Sequence, residues 1–130
     1  MSTDGRRNLV DVLGSRPCYE VHKRPDDNGS WKYNLAVGRV QHYNSKSPYY
    51  VVVYADWGAP TELIFAFPSE YLNAEVFPRL IRRDGRRYMF QVDKLSLEFT
   101  WQIGVKVDGR AFRVTRSSLY GAAKGGHLAR

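Results

Sequence analysis

With a single cysteine, Cys18, the chain can form no internal disulfide, which fits a reducing, cytoplasmic setting. Long hydrophobic runs are also missing. The longest, residues 49–55, is far too short to cross a bilayer, so no membrane partner is expected. The opening residues 1–7 lack the apolar core of a signal peptide. Soft metal ligands are few: Cys18, His22 and His42, with His127 near the end, and no Cys-x2-Cys or His-x3-His pair among them. Cys18 and His22 on a strand do not complete a tetrahedral set by themselves, so no zinc site is expected. The sequence has no Gly-x-Ser-x-Gly elbow and no Gly-x4-Gly-Lys-Ser/Thr loop, which disfavours acyl-transfer and NTP chemistry. No catalytic residue and no cofactor is assigned.

What the chain does have is basic charge, aromatic rings and strand-like alternation. Its 130 residues fit one domain, and 43% hydrophobic residues suffice for a real core. The net charge is +7 and the pI about 9.7. Residues 1–65 carry 8 basic and 7 acidic side chains, against 12 and 6 in residues 66–130. Surplus charge confined to one half suggests a positive face, and phosphate backbones are the commonest partner for one.

The pattern predicts a loose start over residues 1–5, one compact domain over 6–115 and a flexible tail over 116–130. Leu9, Val10 and Leu13 recur at helical spacing, predicting a short helix over 6–13. Strands are expected over residues 18–23, 31–40, 49–56, 61–67, 86–92 and 97–103. The polar stretch 41–48 reads as a loop. The continuous apolar character of 49–56 suggests a central strand covered on both faces. The short link to 61–67 favours an antiparallel hairpin. Pro68-Ser69-Glu70 opens a second short helix, with Leu72, Val76 and Tyr71 facing inward and Pro78 limiting its end. Asp108-Gly109, between residues 105–107 and 110–114, reads as a hairpin turn. The expected fold is α+β: a largely antiparallel twisted sheet with two short helices, or else a partly closed barrel.

Three groups of residues could carry binding. Arg79, Arg82, Arg83, Arg86 and Arg87 place five arginines within nine residues around the Asp84-Gly85 turn. Their forked donors suit phosphate oxygens and guanine edges. Lys46, Lys94, Arg110, Arg113 and Arg116 would extend that surface. Aromatic residues form the second group, at 14% of the chain. Most fit core or cross-strand packing, whereas Trp57, in a turn beside Gly58, is the preferred exposed ring for contact with a base. Tyr43 joins it, with Gln41 and Asn44 of the polar stretch as bidentate partners for adenine.

The stretch from Leu9 to Lys46 resembles the opening layout of restriction-endonuclease-like nucleases of the PD-(D/E)XK type. The residues that carry the likeness are Gly14-Ser15, Tyr19-Glu20-Val21, Tyr33-Asn34-Leu35-Ala36-Val37 and Arg39-Val40-Gln41. The likeness covers about a third of the chain. In that family an Asp opens one strand, and a Glu/Gln-x-Lys on the next completes the magnesium site. Here Asn34 stands at the Asp position, Gln41 at the Glu position and Tyr43 where Lys is expected. Amide and phenol are poor substitutes for a hard-cation carboxylate and an ammonium. The resemblance therefore implies a fold kept for DNA binding with nuclease activity lost.

The leading expectation is a DNA-binding recognition module of a restriction, repair or modified-base-sensing system, with RNA as the second nucleic-acid partner. One alternative is a metal-dependent nuclease using Asp56, Glu62 and Glu70. The other is a non-enzymatic protein-interaction domain using a sheet edge and exposed tyrosines.

Overall fold

The computed structural model describes residues 16–46, 48–80 and 85–115. The expected helix over 6–13 and the expected tail from 116 lie outside the described residues, as do Arg82, Arg83 and Arg116. What is described is an α+β fold of eight strands in two mostly antiparallel four-stranded sheets, neither closed into a barrel. The first sheet has the order β1 (Cys18–Lys23), β3 (Tyr50–Ala55), β4 (Leu63–Pro68), β8 (Arg113–Val114). The second has the order β2 (Ser30–Ala36), β5 (Arg87–Asp93), β6 (Glu98–Trp101), β7 (Lys106–Asp108). Among the described strands, only β1 and β3 run parallel.

The core lies between the sheets and is largely aromatic. Val51, Val53, Phe65 and Phe67 of the first sheet meet Tyr33, Leu35, Phe90, Phe99 and Trp101 of the second. Phe99 is the hub, with ring centroids of Phe65, Phe67 and Phe90 at 5.1, 5.0 and 5.5 Å. The edge-to-face geometry of the first two pairs is the favoured one for quadrupolar rings. β3 is the central strand its sequence predicts, buried at every position. Val51, Val53 and Ala55 face the inter-sheet core, while Tyr50, Val52 and Tyr54 join a second cluster with Ile64, Ala66 and Val114. Each valine so buried contributes roughly 1.5–3 kcal/mol relative to exposure.

Helical segments close one end. Leu72 and Val76 are fully buried, as their spacing predicts. The segment runs as α2 (Ser69–Tyr71), one π turn (Leu72–Val76) and one 3-10 turn (Phe77–Arg79).

The structure corrects three expectations. The strand expected over 31–40 stops at Ala36, and an eight-residue helix, α1 (Val37–Asn44), follows in place of the polar loop. Val37 satisfies both the alternation of Trp31, Tyr33 and Leu35 and a helical stripe with Val40 and Tyr43, so the strand pattern runs into the helix unmarked. Ala36, at the N-cap, has no side-chain acceptor to signal the switch.

The strand expected to reach Ile103 ends at Trp101. Ile103 and Gly104 both have positive φ (55° and 81°) and turn the chain from β6 to β7.

Asp108-Gly109 does not form a hairpin. β7 pairs with β6, and β8 pairs with β4 in the other sheet. Asp108 accepts the Arg110 N–H and bends the chain, and Gly109 then lies tight against Leu97 and Phe99 as the backbone crosses between sheets. A Cβ at Gly109 would come within 2.6 Å of the Phe99 ring, so only glycine fits this crossing.

Candidate nucleic-acid interface

Strand directions sort the charges between two ends of the molecule. β2 ends at Ala36 beside Arg87, where β5 begins, and the Val37 N–H donates to Arg86 O at 2.7 Å. The first strand, β1, begins opposite Tyr50, and Tyr50 pairs with Pro68 just before α2. Asn73 donates its side-chain amide to Asn44 Oδ1 at 3.0 Å, joining the α2 segment to the end of α1. The rings of Phe77 and Tyr88 stack at 4.4 Å, which brings the Arg79 turn beside β5. One end therefore gathers Arg39, His42 and Lys46 with exposed Arg79, Arg86 and Arg87. Among the described carboxylates there, Glu75 is exposed, and Glu70 is closed on Arg16 by two hydrogen bonds of 2.7 and 2.9 Å, which holds it below the usual carboxylate range.

The opposite end is acidic, with Asp26, Asp56, Asp93 and Asp108. Lys94 and Arg110, expected to extend the basic surface, stand here. Lys94 meets Asp26 at 2.8 Å over the Trp31 ring. Arg110 holds Asp108 through two guanidinium bonds of 3.1 and 3.2 Å, and this bonding lowers the Asp108 pKa. Arg113 is exposed on β8, paired opposite Phe65.

The expected base-contacting residues also separate. Gln41 and Asn44 are exposed on α1, at the basic end. Tyr43 is half-buried in a stack between Tyr19 and Tyr49, at 5.5 and 5.1 Å, and its hydroxyl donates to Cys18 O at 3.3 Å. It offers an edge rather than a face. Trp57 lies at the acidic end, half-buried, with the His22 ring at 4.6 Å and the Arg24 guanidinium 5.0 Å over it.

The acidic trio of the nuclease alternative is engaged in structural bonds. Asp56 accepts Trp31 Nε1 at 2.9 Å and the Thr61 hydroxyl at 2.8 Å, Glu62 accepts the Gly58 N–H at 3.1 Å, and Glu70 pairs with Arg16. No three His, Cys, Asp or Glu side chains come together for a metal ion among the described residues. Asn34 and Tyr43, two positions of the nuclease resemblance, line different hollows. Burial pushes the Cys18 thiol up to about 11, which keeps it protonated and unreactive at neutral pH.

Two surface hollows were not foreseen. The larger, about 490 Å³, lies on the second sheet, where Lys32, Asn34, Met89, Gln91, Thr100 and Gln102 are among its lining residues. The smaller, about 350 Å³, is lined by Pro17, Arg39, His42, Tyr43 and Lys46. The signal for the second was legible only once 37–44 was known to be helical, because Arg39, His42, Tyr43 and Lys46 then fall at i, i+3, i+4 and i+7. No described helix is long and apolar enough to cross a membrane. Comparison with known proteins finds no matching family model, no matching curated protein and no matching solved structure.

Proposed function

We propose that the protein is a non-catalytic nucleic-acid-binding module, DNA being the first partner to test, and that it binds through the end formed by α1, the Arg79 turn and the start of β5. The observation that carries this reading is the polarity of the fold. Lys94 and Arg110 at the acidic end are closed on Asp26 and Asp108, and Arg39, Arg79, Arg86, Arg87 and Lys46 are exposed together at the other end. Such a surface gains affinity by releasing counterions from a phosphate backbone, and salt weakens it accordingly. Gln41 and Asn44, exposed on α1, would supply the contacts to base edges from the same surface.

The test compares two multiple variants. Arg79→Ala/Arg86→Ala/Arg87→Ala should weaken binding to duplex DNA at least tenfold and reduce the salt slope by about one unit per lost phosphate contact. Lys94→Ala/Arg110→Ala, at the acidic end, should leave both unchanged. Equal effects from the two variants, or binding insensitive to salt, would overturn the assignment. A parallel titration with single-stranded DNA, RNA and cytosine-methylated DNA ranks the partners.

A further inference from the structure

We propose that the hollow beside α1 is a pocket for a phosphomonoester, in which Arg39, His42 and Lys46 hold the terminal phosphate of a nucleic-acid strand. The assignment rests on the reading above, because it names what the same surface does with a strand's end.

Arg39, His42 and Lys46 project from one face of α1 and the turn that continues it, and among the described residues no carboxylate lines the 350 Å³ hollow they share. Four other cations of the described residues are closed on carboxylates: Arg16 on Glu70, Lys94 on Asp26, Lys106 on Glu98 and Arg110 on Asp108. The helix macrodipole favours His42 and Lys46 near the C-terminus of α1 but opposes Arg39 in its first turn, where no acidic residue offsets it. The Arg39 guanidinium is instead seated 5.5 Å over the Tyr19 ring, which fixes its fork without consuming its donors.

The floor is rigid. Tyr43 is clamped between Tyr19 and Tyr49, and Pro17 completes an apolar base. With both faces of Tyr43 covered, the floor gives a base no ring to stack on, so the pocket suits a compact anion. Guanidinium, imidazole and ammonium together match a phosphate carrying close to two negative charges better than the single charge of an internal diester.

The experiment measures binding of three short strands of one sequence, carrying a phosphate at the 5′ end, at the 3′ end or at neither, to the full chain and to Arg39→Gln and Lys46→Gln. Both substituted side chains are exposed. A terminal phosphate should tighten binding about tenfold at one end or both, and each variant should erase that preference, binding phosphorylated and plain strands alike whatever general affinity the lost charge costs. Equal affinity for all three strands, or a phosphate preference that survives both substitutions, would overturn the pocket. Inorganic phosphate followed by amide chemical shifts separates the two readings. Saturable shifts at residues 39–46 without strand binding would retain the phosphate pocket and sink the strand reading. Absent shifts together with undiminished binding of the plain strand would do the reverse.

Discussion

Asp56 stands at the end of β3 with φ 52° and closes two side-chain hydrogen bonds, accepting Trp31 Nε1 and the Thr61 hydroxyl. Trp31 is almost fully buried, so without this acceptor its indole N–H would be left unpaired in the protein interior. Asp and Asn also adopt the left-handed conformation more readily than other side chains with a Cβ. From sequence, Asp56 reads equally well as a metal ligand, because a carboxylate beside a turn looks the same whether it faces a cation or an indole. The structural role predicts that Asp56→Ala destabilises the fold by about 1–3 kcal/mol. Asp56→Asn, which keeps an acceptor oxygen and the conformational tolerance, should cost less than half as much. Urea denaturation of the three proteins checks this, and an alanine variant as stable as wild type would refute it.

Among elements, the turn from β6 to β7 carries visible strain. Ile103 has φ 55° and ψ 22°, is 63% exposed, and precedes Gly104 at φ 81°. Two successive residues with positive φ form the mirror-image turn that favours Asn-Gly, and a β-branched side chain is the least suited to its first position. Relieving that conformation should recover about 1 kcal/mol, so Ile103→Asn is expected to raise the urea midpoint without changing the m-value. A lower midpoint would mean that the exposed isoleucine makes a contact that outweighs its strain. The same turn shows why some elements were legible and others were not. β3 follows from its continuous apolar run and the buried pair Leu72 and Val76 from helical spacing, since burial decides both. Ile103 continues the alternation of Phe99 and Trp101 perfectly, yet backbone geometry ends the strand two residues earlier. Val37 likewise fits two periods at once, and with it the helix that carries Arg39, His42 and Lys46 stayed hidden. The Asp108-Gly109 turn failed for a third reason: its glycine serves a close approach to Phe99 across the core, a tertiary demand that leaves no local signal.

For the whole molecule, the aromatic composition that builds the core also sets its alkaline limit. Burial pushes the Tyr49 and Tyr50 phenols up to about 12 and the Cys18 thiol up to about 11, and it raises Tyr33 and Tyr71 as well. Tyr33 donates its hydroxyl to Tyr54 O at 2.9 Å inside the core, a bond that exists only while the phenol is protonated. The corresponding values in an unfolded chain are 9.0 for the thiol and 10.0 for the phenols. All these groups are neutral when protonated, so above pH 9 the unfolded chain gives up protons that the native fold retains. The native state then binds more protons than the unfolded one, and stability must fall as pH rises. Below pH 9 these groups are protonated in both states and their contribution is complete. The loss should begin with Cys18 between about 9 and 11 and steepen from 10 as the phenols join. Urea midpoints measured from pH 8 to 11 at constant ionic strength should therefore be flat at first and then drop. Cys18→Ala should delay the onset toward pH 10 and leave the steeper tyrosine limb in place. A midpoint unchanged to pH 11 would show that the buried phenols do not control the fold's response to alkali.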